Sequence, residues 1–317
     1  MYQMQYTAHA TGYDAQTWEF TVDVTLNGNH IRDSPFAGVG MSPATTEAAH
    51  TNARGDALIR GSAGMTHMFE VFARDAFDNA VTECVADWSA FELQLTLAGD
   101  PAPAPVVRGC TADPFARYEV EYRVTRAADF TLYTTFGGDA VSGSPHTITV
   151  GSSVARAAMS FISVTGEYRE DIGSGLVPGA PAISGDFDTL GAGEVYTFFL
   201  HAFDEFNNRL TQNLCAGDAT GPETVSCLGF AFRWCRLDRN LVAINAVTCH
   251  TNVREDGPSL NIEPAEGSGV YRVETAPGAS GLVRSGGYRV DVTIVQADGT
   301  VAALSNSHFL LAVDPAV

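Results

Sequence analysis

Apolar and polar residues alternate with a period of two along most of this chain. Phe20-Thr21-Val22-Asp23-Val24, Phe91-Glu92-Leu93-Gln94-Leu95 and Tyr288-Arg289-Val290-Asp291-Val292 are clear cases. Successive side chains of a strand point to opposite faces, so such alternation buries one face and leaves the other in water. Clusters of Gly, Pro, Asn and Asp separate the alternating runs at intervals of roughly ten residues, the spacing of short antiparallel strands joined by turns. No stretch shows a convincing helical period. The pattern predicts an all-β molecule made of sandwiches.

Recurrence divides it. Ala63-Gly64, Phe69, Asp75, Phe77, Asn79 and Thr82 return 129 residues later as Ala192-Gly193, Phe198, Asp204, Phe206, Asn208 and Thr211. Gly28 with Ser34-Pro35-Phe36 returns 110 residues later as Gly138 with Ser144-Pro145-His146, and this second recurrence marks where a unit ends. A unit used more than once implies tandem immunoglobulin-like antiparallel β-sandwiches. Three are predicted: the closing part of one at 1–43, a complete one at 44–151, and a diverged one at 152–317. The third is longer, and the extra length is expected at 166–189 and 250–268, where loops absorb it at small entropic cost. Residues 1–43 supply only closing strands, which leave an apolar face uncovered. Either Met1 is interior to a longer protein or a neighbouring chain completes this sandwich.

The order of these elements resembles the filamin-type immunoglobulin repeat. The residues that carry the resemblance are Ala63-Gly64, Phe69, Asp75-Ala76-Phe77-Asp78-Asn79, Tyr118-Glu119-Val120-Glu121-Tyr122, Gly137-Gly138 and Ser144-Pro145. The third unit departs from it at Tyr271-Arg272-Val273-Glu274-Thr275 and at Ser307-His308-Phe309, where the proline is missing. The resemblance implies a scaffold that spaces and docks proteins, with partners adding a strand beside the third strand, in the groove it forms with the fourth. An edge strand offers unpaired N–H and C=O groups, and alternating pockets read the guest's side chains. The matching positions are Phe91, Leu93, Leu95 and Leu97 with Val106 and Val107 in the second unit. In the third they are Phe230, Phe232 and Trp234 with Val242 and Ile244. Because one face of any such strand is buried anyway, the competing reading of these residues is plain core.

Other chemistry is weaker. Asp75 with Asp78, and Asp204 with Glu205, bring carboxylates together, but calcium takes six to eight oxygens. A turn in which Asp and Asn bond nearby amides, with the intervening Phe plugging the end of the core, accounts for the same residues. Cys84 and Cys215 fall at nearly equivalent places in their units. A bridge from Cys84 to Cys110 is geometrically possible, and a hairpin of 230–234 with 241–247 sets Cys227 roughly opposite Cys249. Six cysteines allow fifteen full pairings. Their even number leans towards an oxidising compartment, whereas the absence of any Asn-x-Ser/Thr acceptor leans away from secretion.

Composition narrows the function further. Acidic residues outnumber basic ones 37 to 18, and a net charge of −19 repels nucleic acid and anionic lipid. Every basic residue is Arg, which removes Schiff-base lysines and the P-loop lysine. No apolar run reaches the roughly 18 residues that cross a bilayer, and Met1 to Tyr6 lacks the build of a signal peptide. The eight His form no metal-binding spacing, and neither a nucleophile elbow nor a dinucleotide-binding motif occurs. No metal, cofactor or catalytic residue is implied. The expectation is a non-enzymatic interaction protein with protein partners. It is placed either in a cytoskeletal or ciliary assembly or in the ectodomain of a surface adhesion or gamete-recognition protein.

Overall fold

A computed structural model describes residues 18–85, 88–163, 188–210, 230–236, 249–251, 260–264, 269–275, 286–296, 299–305, 307 and 309–315. By its internal contacts the chain divides into residues 1–150 and 151–317. Apart from two short 3-10 turns, Asp56–Leu58 and Trp88–Ala90, the described elements are strands.

The first unit opens with β1 (Trp18–Val22), β2 (Thr25–Leu26), β3 (Asn29–His30) and β4 (Phe36–Met41). β1 pairs with β4 and β2 with β3, all antiparallel. Ten strands follow: β5 (Asn52–Arg54), β6 (Arg60–Ser62), β7 (Thr66–Phe72), β8 (Phe91–Leu97), β9 (Asp100–Pro101), β10 (Val106–Thr111), β11 (Arg117–Arg123), β12 (Ala128–Phe136), β13 (Asp139–Ala140) and β14 (His146–Gly151). One sheet has the order β10-β11-β7-β5, and the facing sheet has β6-β14-β12-β8-β9, with β13 on β12. Alternation places the core as the sequence suggests: Tyr118, Val120 and Tyr122 are buried between less buried neighbours, and Leu132 and Ile148 are buried in the other sheet.

The second unit repeats this strand for strand. Its elements are β15 (Phe161–Ser163), β16 (Asp188–Gly191), β17 (Thr197–His201), β18 (Phe230–Arg236), β19 (Cys249–Thr251), β20 (Leu260–Pro264), β21 (Val270–Thr275), β22 (Gly286–Val295), β23 (Val301–Ala303) and β24 (Phe309–Asp314). The sheet orders are β15-β17-β21-β20 and β16-β24-β22-β18-β19, with β23 on β22. Each strand therefore carries a number ten above its counterpart.

That correspondence locates the extra length. The 164–187 insertion separates β15 from β16, where the chain crosses between sheets, a step that takes only residues 55–59 between β5 and β6. The expected second insertion, 250–268, is not one loop: it contains the end of β19 and all of β20, and within it the connection 252–259 is longer than its counterpart 102–105. The chain is also lengthened between β17 and β18, between β18 and β19, and between β21 and β22. The strand opposite β18 is 249–251, with Cys235 facing Cys249, so the hairpin expected at 241–247 is corrected by the register and Cys249 does not stand opposite Cys227. Residues 241–247 and Cys227 lie outside the described residues.

Candidate functional site

The dock expected from the sequence would involve two strand edges, those of β8 and β10. β8 lies at the border of its sheet, and β9 covers only its last two residues, Thr96 opposite Pro101 and Leu97 opposite Asp100. The Leu95 carbonyl accepts the Ala102 N–H at 2.8 Å, which shows that it faces outward from β12. With a two-residue period, the backbone groups of Leu93 and Phe91 face the same uncovered side. β10 is the outer strand of the opposite sheet. A bulge between Val107 and Gly109 breaks its ladder with β11, a device common where sheet edges are exposed.

Along these edges the predicted residues separate. Phe91 and Leu95 are core residues at 7% and 1% exposure, and the Phe91 ring packs 4.7 Å from Tyr118 and 4.8 Å from Phe136. Leu93 and Val107 are half-buried, and Val106 is 50% exposed. Leu93, Val106 and Val107 are thus the predicted residues whose side chains stay accessible, and Phe91 and Leu95 belong to the core. In the second unit Phe232 and Trp234 are at 0% and 1% exposure, inside a cluster that includes Phe198 and Val290. They are core residues, because their side chains belong to one buried cluster with Phe198, Leu200, Tyr271 and Val273 of the facing sheet. Val242 and Ile244 lie outside the described residues.

A covalent link ties β10 to the connection that precedes β8. Cys84, in the connection from β7 to β8, is bridged to Cys110 of β10. Beside it, the Val85 N–H donates to the Tyr118 hydroxyl at 2.9 Å, and Tyr118 stands opposite Cys110 in the ladder. Burial pushes the Tyr118 hydroxyl up, with the Val85 hydrogen bond opposing. Since Tyr118 touches Phe91, the bridge sits at the Phe91 end of β8. Tyr118 was not legible as a site residue: its role depends on facing Cys110, which only the pairing reveals. On the outer face of β10, Arg108 pairs with Glu121, and this partner holds the Glu121 carboxyl below the usual range. Among the described residues no cysteine is free, and Cys235 is also disulfide-bonded.

The acidic corners bind backbone, not cations. Asp75 Oδ1 accepts the N–H groups of Phe77 and Asn79, each at 2.9 Å, and Oδ2 accepts the Ala44 N–H at 2.9 Å and the Asn79 side-chain amide at 3.1 Å. Asp204 repeats this with Phe206 and Asn208, each at 2.9 Å, and with Ser153 and the Asn208 amide, each at 2.8 Å. Four donors occupy each carboxylate, which leaves no vacant lone pair for calcium. Among the described residues no cluster of His, Cys, Asp and Glu has the form of a metal site. The expected plug differs: Phe77 is 43% exposed, because the turn that delivers its N–H to Asp75 carries its ring outward.

Residues 45–147 match the family model of the Filamin/ABP280 repeat. No curated protein matches the chain. Among solved structures, it is similar to FdeC, an Escherichia coli adhesin, at 18% identity and a TM-score of 0.49, over 87% of this chain and 67% of that one. It is similar to the Lin-41 filamin domain at 17% identity and a TM-score of 0.28, over 34% and 97%. Invasin, a bacterial integrin-binding protein, is similar at 12% identity and a TM-score of 0.50, over 87% of this chain and 42% of that one. The likeness to invasin is one of fold, and this chain spans less than half of the invasin chain.

Proposed function

We propose that this chain, whose residues 45–147 are a filamin-type repeat, is a spacer and protein dock exposed to an oxidising compartment, as in the ectodomain of a surface adhesion protein. Filamin-type repeats are non-enzymatic interaction domains. The observation that carries the finer reading is the Cys84–Cys110 bridge. Disulfides persist outside the reducing cytosol, so the bridge favours the surface over a cytoskeletal or ciliary assembly. The proposed organisation is the closing part of a sandwich at 1–43, a complete repeat at 44–151 and a diverged repeat at 152–317.

The proposed dock is the uncovered edge of β8, where a partner strand would meet the outward backbone groups of Phe91 and Leu93 and the side chains of Leu93, Val106 and Val107. The cross-link at the Phe91 end supports it, because it fixes where β10 lies against β8 and reduces the ordering cost on binding. Mass spectrometry of the non-reduced protein from its native source tests the compartment. A Cys84–Cys110 linked peptide is expected; free thiols at both positions would restore the intracellular assembly. The dock is tested separately with Leu93→Glu, which is expected to abolish strand addition by a captured partner, whereas Arg108→Ala on the outer face leaves it intact.

A further inference from the structure

An opening lies on the outer face of the β5-β7-β11 sheet, lined by Arg54, Phe72, Ala73, Arg74, Ala80 and Phe115. Its volume is about 70 Å³. At about 10–15 Å³ for each water, that is room for about five waters, or for a carboxylate and its adjoining methylene. Phe72 and Phe115 form an aromatic wall with ring centres 5.7 Å apart. The Arg54 guanidinium sits 5.3 Å over the Phe72 ring, a cation–π arrangement that also orients its planar fork. Arg74 is held by the Asp78 carbonyl at 2.6 Å. No acidic residue lines the opening.

Arg54 Nε donates to the neutral Asn52 side chain at 3.1 Å, and Glu70, which faces Arg54 in the ladder, is paired with Arg117 at 3.6 Å. A comparison with the other repeat points to a ligand. Asn52 faces Phe72 in the ladder, and Phe161 faces His201, so these pairs are equivalent. There Phe161 lies flat on His201 at 4.6 Å and on Phe203 at 5.8 Å, and the Ser163 hydroxyl lies 2.8 Å from His201 Nε2. The fold can fill this place with its own rings. In the first repeat it is left open and rimmed with guanidinium groups.

We propose that this opening binds a carboxylate presented by a partner polypeptide, with Arg54 supplying the paired N–H donors and the Phe72–Phe115 wall packing on the methylene beside the acid. A planar fork over a ring is suited to bidentate carboxylate recognition. The site is separate from the β8 edge, so its failure would leave the proposed dock untouched.

The test uses the full chain labelled at arginine Nε and alanine methyls, titrated by NMR. The probes are N-acetylglutamyl amide, neutral N-acetylglutaminyl amide and N-acetylalanine, which presents a terminal carboxylate. The glutamyl probe is expected to shift Arg54 Nε and the Ala73 and Ala80 methyls saturably, and the glutaminyl probe is not. Arg54→Gln, at an exposed position, is expected to weaken binding roughly tenfold or more, with Arg54→Lys intermediate because it keeps the charge and loses the fork. A response to N-acetylalanine alone would support the site with a chain terminus as the source. Equal shifts from the glutaminyl probe, unchanged binding in Arg54→Gln, or no saturable shift from either acid would overturn it.

Discussion

Single carboxylates fix the corners on which each repeat turns. Burial alone would raise the Asp75 pKa, but hydrogen bonds from Ala44, Asn79 and Phe77 outweigh it and hold the group below its ordinary value of 3.8. Removing the side chain would leave four donors without an acceptor, so Asp75→Ala is expected to cost on the order of 3 kcal/mol in urea unfolding. The native pKa is the depressed one, so this stabilisation is complete above pH 3.8 and is lost as pH falls through the lower native value. In Asp75→Asn that acid dependence is expected to disappear. These corners were legible in the sequence because donor and acceptor lie within four residues of one another. The direction of Phe77 was not, since an Asp-x-Phe spacing says which N–H is captured and nothing about where the ring goes. The Arg54 opening was hidden for a different reason: its lining comes from separate strands and turns, and no spacing encodes their meeting.

At the scale of the element, one closing hairpin occurs three times. The Ser34 hydroxyl accepts the Val24 N–H at 2.8 Å, Ser144 that of Thr134 at 2.9 Å, and Ser307 that of Val292 at 3.0 Å. Matching backbone bonds run from Ile31 to Val24, Val141 to Thr134 and Leu304 to Val292. The recurrence of Ser-Pro announced the first two, and Ser307 keeps the bond without the proline. Packing differs between copies. Val141 is 2% exposed, whereas its equivalent Ile31 is 39% exposed, because among the described residues no sheet faces the β1–β4 pair. Ser144→Ala is therefore expected to cost roughly 1–2 kcal/mol, since Thr134 is fully buried and its N–H would be orphaned. Ser34→Ala, where water reaches the half-buried Val24, is expected to change urea unfolding of 44–150 by less than about 0.5 kcal/mol. Alternation located most strands but could not say which would pair. Register depends on contacts distant in sequence, so alternation alone does not select 249–251 over 241–247 as the return strand of β18.

For the whole chain, the two units differ in how they meet acid. His201 is fully buried, stacked on Phe161, and burial together with the charge of Arg209 lowers its pKa from 6.5 to about 4. The unfolded chain takes up a proton near pH 6.5 that the folded unit refuses until about pH 4, so stability falls across that window and levels off below it. The full effect is about 3 kcal/mol. Residues 1–150 contain a weaker counterpart, His146, whose partial burial lowers its pKa in the same direction. Protonation of surface carboxylates reduces the self-repulsion of a strongly acidic chain and acts on both units, so only the difference between them isolates the buried imidazole. Calorimetry from pH 7 to pH 4.5 is expected to resolve two transitions, with that of residues 151–317 falling further than that of residues 1–150. His201→Phe keeps the stack on Phe161 and removes the titrating group, and with it the excess shift is expected to vanish. Equal shifts of both transitions, or an unchanged excess in the variant, would show that acid acts through surface charge and not through His201.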